Sequence, residues 1–197
     1  MVNVESKQSV VVGVDAGNVI SGVVVLLNGK IHHAENADNA KVFDYIKSLK
    51  ETEGFKVRVI IEDIMPYLSK LSPQTIETCK WMGELRYRLK TARISHGFVP
   101  RASVKKWVFD TYPEIVIPMV NKKIAKKDRR TKSGDLWAPS MIYVDDAIVT
   151  AAMRYEWHIP AKVFKANRFK ISKHAWQALA MATLYWTTAT QNKKTPR

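Results

Sequence analysis

Cysteine is nearly absent from this sequence, which has only Cys79 among its 197 residues. A single cysteine excludes an intramolecular disulfide bond and a zinc cluster built on several cysteines. No apolar run approaches the ~20 residues that are needed to cross a bilayer. Residues 1–9 are polar and lack the apolar core of a signal peptide. We therefore expect a globular protein of the cytoplasm that has no membrane partner.

Acidic residues are also scarce, because 18 Asp and Glu face 32 Lys and Arg and leave a net charge of +14. Such an excess favours a polyanion, and nucleic acid first of all. The basic residues are concentrated around Trp107 and in a second stretch further along the chain. The candidate DNA contacts are Arg101, Lys105, Lys106, Trp107, Lys122, Lys123, Lys126, Lys127, Arg129, Arg130 and Lys132. Trp137 is a further candidate for contact with bases.

The hydrophobic pattern predicts an α/β protein with no internal repeat. Strands are expected at 9–16, 20–27, 30–36, 56–63 and 96–100, and helices at 38–53, 72–93, 102–110, 140–157 and 172–190. Asn28-Gly29 predicts a tight hairpin, so the first three strands should form an antiparallel meander. The helix before the fourth strand implies a parallel crossover. Gly83 lies inside a predicted helix and suggests that another backbone approaches closely there.

Residues 111–138 hold two prolines and the dense basic stretch, and no clear periodicity. We interpret them as a basic arm or loop inserted in one domain that spans 1–197, and expect the arm to become ordered on its partner.

Two acids stand at the ends of apolar strands. Asp15 follows a run of valines, and Glu62 follows the apolar residues of the fourth strand. Burying a carboxylate is costly unless a cation or hydrogen bonds compensate it, so the pair could share a cation. Each acid also has a simpler interpretation. Asp15 could cap the turn that follows it, and Glu62 with Asp63 could form a turn at the end of the strand.

The order of the motifs resembles the RuvC-type Holliday junction resolvases, which are crossover junction endodeoxyribonucleases of the RNase H-like superfamily. The segments that carry the resemblance are Gly13-Val14-Asp15-Ala16-Gly17, Ile60-Ile61-Glu62, Trp81-Met82-Gly83, Val99-Pro100 with Val104-Lys105, and His174-Ala175-Trp176-Gln177-Ala178-Leu179-Ala180. Each motif is short, but together they cover most of residues 9–187 in the expected order.

The resemblance implies a five-stranded mixed sheet flanked by helices, formed by an antiparallel meander and parallel strands. It also implies a homodimer that cuts four-way DNA junctions symmetrically with two Mg²⁺ ions, for which Mn²⁺ can substitute. The catalytic and metal-binding residues would be Asp15, Glu62, His174 and Gln177. A bacterial or phage-infected cell would be the setting of this activity.

Gln177 departs from the resemblance, which implies an acid at this position. The glutamine could be natural variation or an engineered replacement of an acid. Alternatively, Asp145 or Asp146 could supply the missing ligand, although acids at the start of a helix also interact favourably with its dipole.

Two other functions compete with a nuclease. A protein of this fold with a weakened fourth ligand could bind branched DNA without cutting it. An actin-like or sugar-kinase-like nucleotide-binding protein also begins with a strand, an aspartate and a hairpin. That class normally needs two such lobes, whereas the length here suits one, and the basic charge argues against it.

Overall fold

A mixed sheet of five strands lies at the centre of the fold, and helices cover both of its faces. The computed structural model describes residues 7–64, 72–128, 144–159, 171 and 173–194. The strands are β1 (Gln8–Asp15), β2 (Ile20–Leu27), β3 (Lys30–Asp38), β4 (Phe55–Asp63) and β5 (Ser95–Pro100). The helices are α1 (Asn39–Glu51), α2 (Pro73–Thr91), α3 (Arg101–Thr111), α4 (Pro113–Asp128), α5 (Asp146–Glu156) and α6 (Lys173–Lys194).

The sheet has the order β3-β2-β1-β4-β5, with β1 at its centre. The first three strands are antiparallel, and β4 and β5 run parallel to β1. Asn28 and Gly29 connect β2 to β3 with φ angles of 48° and 78°, as a tight hairpin turn requires. The predicted meander and the parallel crossover are therefore confirmed. The carboxyl ends of β1, β4 and β5 meet at one edge of the sheet.

Side-chain alternation along β1 divides the core into two layers. Val10, Val12 and Val14 lie in the layer covered by α1 and α2. Val11 lies in the opposite layer, which α3, α4, α5 and α6 cover. By the same alternation Asp15 belongs to the α6 face, and so does Glu62, which is two residues after the buried Ile60 of that layer.

The backbone of α6 packs directly against β1 and β2 at two glycines. A Cβ atom at Gly13 would collide with the carbonyl group of Ala178, and one at Gly22 would collide with the backbone of His174. Glycine is therefore required at both positions by the close approach of another backbone. The same expectation for Gly83 is wrong, because this glycine is exposed and nothing lies within 4 Å of the position that its Cβ would take.

The expected irregular arm at 111–138 is wrong over residues 113–128, which form α4. Pro113 is the first residue of this helix, a position where a missing N–H costs nothing. Val116, Val120 and Ile124 recur every four residues and are buried in the core. Pro118, inside the helix, concealed this stripe from the sequence analysis. The remainder of the predicted arm, including Trp137, lies outside the described residues.

Most other predicted boundaries agree with the structure to within two residues. The largest difference concerns α5, which begins at Asp146 rather than near residue 140 because Asp145 is its N-cap. Residues 140–143 lie outside the described part of the chain. Among the helices described, none combines the length and the apolar character that crossing a membrane requires.

We predict that the same substitution has opposite effects at two glycines. Gly13→Ala should lower the free energy of unfolding by about 2 kcal/mol or more, because α6 must move away from β1. Gly83→Ala should raise it by roughly 1 kcal/mol, because the site is open and alanine is the better helix former. Urea denaturation of the two variants measures both changes. Equal effects would contradict the close packing of α6 on β1.

Candidate active site

Asp15 and Glu62 lie side by side at the carboxyl ends of β1 and β4. The parallel register pairs Val14 with Ile61, so the next residues of both strands are neighbours on the α6 face. Both acids are buried, with 3% of Asp15 and 4% of Glu62 exposed. Each carboxyl group lies within hydrogen-bonding and electrostatic reach of the other. The structure therefore brings the two predicted acids into direct contact.

The environment of the pair changes the acidity of Glu62. Burial raises the pKa of Glu62 to about 8, helped by the hydrogen bond and the negative charge of Asp15 and opposed by Arg101. Two neighbouring carboxylates repel each other, so it is costly for both to be charged. At neutral pH the pair therefore holds one proton.

His174 lies in the first turn of α6 and contacts Asp15 of the acid pair. Its Nδ1 is 2.8 Å from Oδ2 of Asp15, while its side chain remains half exposed. The hydrogen bond to Asp15 raises the pKa of His174, and partial burial opposes this shift. The close contact between Gly22 and the backbone of His174 fixes the start of α6 beside β2. The helix thereby places the imidazole at the end of β1.

Arg101 links Glu62 to the start of α5. This arginine is the first residue of α3, directly after β5. Its Nη1 donates to Oε1 of Glu62 at 3.0 Å, and its Nη2 forms an ion pair with Asp146. Arg101 was expected to contact DNA, and the structure adds these two carboxylates as its partners. The guanidinium places a positive charge beside the acid pair.

Asp145 has a structural role at the start of α5. Its side chain caps the helix by accepting a hydrogen bond from the backbone N–H of Ile148 at 3.1 Å. It also forms an ion pair with Lys123 of α4. Asp146 lies in the first turn of α5 and pairs with Arg101. Both acids lie at the N-terminus of α5, and a ligand role for either of them stays a prediction.

Gln177 lies about one turn beyond His174 on α6 and is buried, with 6% exposed. Within the described residues, its Nε2 has no hydrogen-bond partner. An unpaired buried amide N–H costs about 1–3 kcal/mol. The structure thus brings Asp15 into contact with both Glu62 and His174. Gln177 lies about one turn further along the helix, without a hydrogen bond from its amide nitrogen.

A metal site is not preformed in the described part of the chain. No group of three or more His, Cys, Asp or Glu side chains is spaced there to hold an ion. The donors that do meet are two carboxylates and one imidazole, which suit a divalent cation. The predicted magnesium ions therefore stay a prediction.

The predicted DNA contacts that the structure describes lie on α3 and α4, and Arg101 of α3 reaches Glu62. Lys105 is one turn after Arg101 on the same face of α3. Lys106 pairs with Asp110 at 2.7 Å, and Trp107 is half buried with its ring edge-on to Tyr112. Lys122 is exposed, and the backbone of α4 includes Lys126 and Lys127. Arg129, Arg130 and Lys132 lie outside the described residues.

Sequence reasoning missed a chain of polar contacts behind the acid pair. The indole Nε1 of Trp81 donates to Oγ of Ser21, which donates to Oδ1 of Asn39 at 2.6 Å. The amide of Asn39 donates in turn to the carbonyl of Gly17 at 3.0 Å. Ser21 within an apolar strand was the only available signal, because the partners are 18 and 60 residues away.

The sheet order, with an antiparallel meander and two parallel strands, agrees with the predicted RNase H-like α/β fold. Two structures of RuvC from Thermus thermophilus are similar to this chain, one of them in complex with a Holliday junction substrate. The complex aligns with a TM-score of 0.58 at 13% identity and the other structure with 0.55 at 14%, each over 93% of this chain and 96% of RuvC. No protein-family model and no curated protein sequence matches the chain. The predicted resemblance to RuvC-type resolvases is thereby confirmed for the fold.

We predict that Glu62 makes the metal-free protein less stable as the pH rises. Its pKa in the folded protein, about 8, lies above the ordinary 4.5, so the folded state binds the additional proton between these values. The stabilisation is complete below this window and is lost as the pH rises through it. Glu62→Gln keeps a neutral donor beside Asp15 and should remove this dependence.

Thermal melts in EDTA from pH 5 to 8.5 compare the two proteins. Relative to Glu62→Gln, the wild type should lose at least about 3 °C in Tm over this range. Parallel melting profiles would contradict a shared proton in the acid pair.

Proposed function

We propose that this protein is a metal-dependent, structure-specific endonuclease that resolves four-way DNA junctions. The observation that carries the proposal is the buried contact between Asp15 and Glu62, with His174 held beside it at 2.8 Å from Asp15. A buried pair of acids is expensive to keep for stability alone. Its position at the carboxyl ends of parallel strands is where α/β proteins collect their ligands.

Asp15, Glu62 and His174 are the residues that would hold Mg²⁺, or Mn²⁺ in its place. When bound, such ions activate a water molecule and stabilise the leaving oxygen in phosphodiester hydrolysis. These side chains support the proposal, because a bound cation would relieve the repulsion between the two neighbouring carboxylates. Glu62 would have to be deprotonated to hold such an ion.

His174 can act on a water molecule through the ring nitrogen that does not face Asp15. Its Nδ1 is directed to Asp15, and a neutral imidazole that donates there presents Nε2 as an acceptor. The half-exposed ring allows this atom either to bind the cation or to orient a water molecule and take up its proton. Asp15 would fix the tautomer and the orientation of the ring.

The basic charge supplies the affinity for DNA in this proposal. Lys105 and Lys122 lie on α3 and α4, and the ion pair between Arg101 and Glu62 connects α3 to the acid pair. Phosphate contacts of this kind make binding fall steeply with salt and carry no sequence information, so junction shape would dominate recognition. Two symmetric cuts in one junction would require a homodimer, which sedimentation with and without junction DNA would measure.

A second candidate function is junction binding without cleavage. Gln177 favours it, because a neutral amide stands where the resemblance implies a charged ligand. Fewer negative charges weaken the affinity for divalent cations. Restoring an acid at position 177 separates this candidate from the nuclease.

The first test is Asp15→Asn. We predict that this change lowers the cleavage of a synthetic four-way junction in Mg²⁺ by at least about a thousandfold, because it removes the negative charge that orients both His174 and the cation. Junction affinity in EDTA should stay within about threefold, since phosphate contacts supply it. Asp63→Asn, one residue after Glu62, is the matched control and should cleave like wild type. Equal activity of the two variants would exclude Asp15 from the chemistry.

The second test is Gln177→Glu. We predict that the variant reaches half-maximal cleavage at about tenfold less Mg²⁺ than wild type, because it adds a negative charge one helical turn beyond His174. Gln74→Glu on the exposed face of α2 adds the same charge elsewhere and should have no effect. If wild type and Gln177→Glu both bind the junction but neither cuts it, the nuclease proposal fails and the binding module stands.

A further inference from the structure

The turn that follows Asp15 exposes two aliphatic side chains next to each other. Val19 is 59% exposed and Ile20 is 48% exposed, although Ile20 begins the otherwise apolar and buried strand β2. The other large hydrophobic residues that are comparably exposed in the described chain stand on helices at Ile76, Tyr87, Ile117 and Tyr155. Val19 and Ile20 therefore form an apolar tip at the end of the β1–β2 hairpin, the side of the sheet where Asp15 lies.

Hydrogen bonds from Asn39 hold the backbone of the tip in place. The backbone N–H of Asn39 donates to the carbonyl of Val19 at 3.0 Å, and its side-chain amide donates to the carbonyl of Gly17 at 3.0 Å. Ser21 anchors Asn39 with a 2.6 Å hydrogen bond and receives one from Trp81. A buried polar network that is fully connected fixes one conformation. The exposed side chains consequently project from a preorganised loop.

The tip also lies on the side of the sheet where His174 meets the end of β1. Alternation along β2 places Ile20 on the same face as Gly22, which packs against the backbone of His174. A Cβ atom at Gly17 would lie 3.8 Å from Cε1 of His174. The chain passes from Asp15 through Gly17 to Val19 without leaving this edge of the sheet. A DNA strand at the acid pair would therefore meet the tip.

We propose that Val19 and Ile20 form a wedge that unstacks a base at the crossover of the bound DNA junction. The inference rests on the proposed function and adds a residue-level recognition element to it. Apolar side chains inserted at a base step partly unstack it and kink the duplex, at a cost of a few kcal/mol per step. That cost is lowest where pairing or stacking is already interrupted, as it is at a crossover. A loop whose backbone is already held by hydrogen bonds loses little conformational entropy when it binds DNA.

A four-way junction with 2-aminopurine at the crossover tests the wedge, because the fluorescence of this base rises when it is unstacked. Binding in EDTA separates this signal from cleavage. Wild type should raise the fluorescence, and Val19→Ala with Ile20→Ala should lose at least half of the rise. Cleavage in Mg²⁺ should slow by about tenfold, while affinity changes by less than about threefold because phosphate contacts dominate it.

Two further variants make the test specific. Val19→Leu with Ile20→Leu keeps the apolar bulk and should restore both signals. Ile76→Ala removes an equally exposed aliphatic side chain from α2 and should behave like wild type. If wild type binds and cuts the junction but the double alanine variant gives the same fluorescence and rate, the wedge is refuted and the nuclease stands. If the variant alters the sedimentation of the DNA-free protein, the tip is a protein interface and the wedge is refuted. If wild type neither binds nor cuts, the proposed function itself fails.

Discussion

The arrangement of the site depends on the direct contact between the α6 backbone and the sheet. Side chains normally keep a helix and a sheet apart, but Gly13 and Gly22 leave nothing between the two backbones. The helix presents Ala175, Ala178 and Ala182 to this contact, all fully buried. Small residues on both sides bring the first turn of α6 to the end of β1. The distance of 2.8 Å between His174 and Asp15 follows from this contact.

Charge balance is the second constraint on the site. Asp15 and Glu62 are buried together, and the repulsion between two carboxylates in contact is large in a protein interior. A shared proton relieves it, and the guanidinium of Arg101 relieves it from the outer side. A divalent cation would satisfy the same negative charge. If the protein binds a metal as proposed, the proton, Arg101 and the cation would compete for Glu62, and metal binding would depend on pH.

The sequence predicted much of the fold because its local signals agree with one another. Valine runs indicated β1 and β2, and Asn28-Gly29 indicated the hairpin between β2 and β3. Ser72-Pro73 indicated the start of α2. The wrong prediction for α4 came from a residue that occurs both in loops and in helices. Pro118 indicated a loop but lies inside α4, where buried side chains every four residues outweigh the missing hydrogen bond.

The site was predicted less completely than the fold, and the reason is physical. Strand ends and a helix start are visible in sequence, so Asp15, Glu62 and His174 could be named as candidates from their positions and from the resemblance. Contacts between distant segments leave no local pattern. The bridge from Arg101 to Asp146 spans 45 residues, and the hydrogen bond from Trp81 to Ser21 spans 60. Only the folded chain brings such partners together.

The hydrogen bonds that join Trp81, Ser21 and Asn39 hold the backbone of the loop after Asp15. A simple hairpin between two apolar strands needs no buried serine, asparagine and indole to hold it. Here the three polar groups fix the carbonyls of Gly17 and Val19, and so fix the segment that joins Asp15 to the apolar tip. Because this segment is held by hydrogen bonds, the position of the tip is set relative to Asp15. If the tip sets the place of a base, the same loop sets the place of its phosphate relative to Asp15, and recognition of a distorted strand becomes part of the alignment for its cleavage.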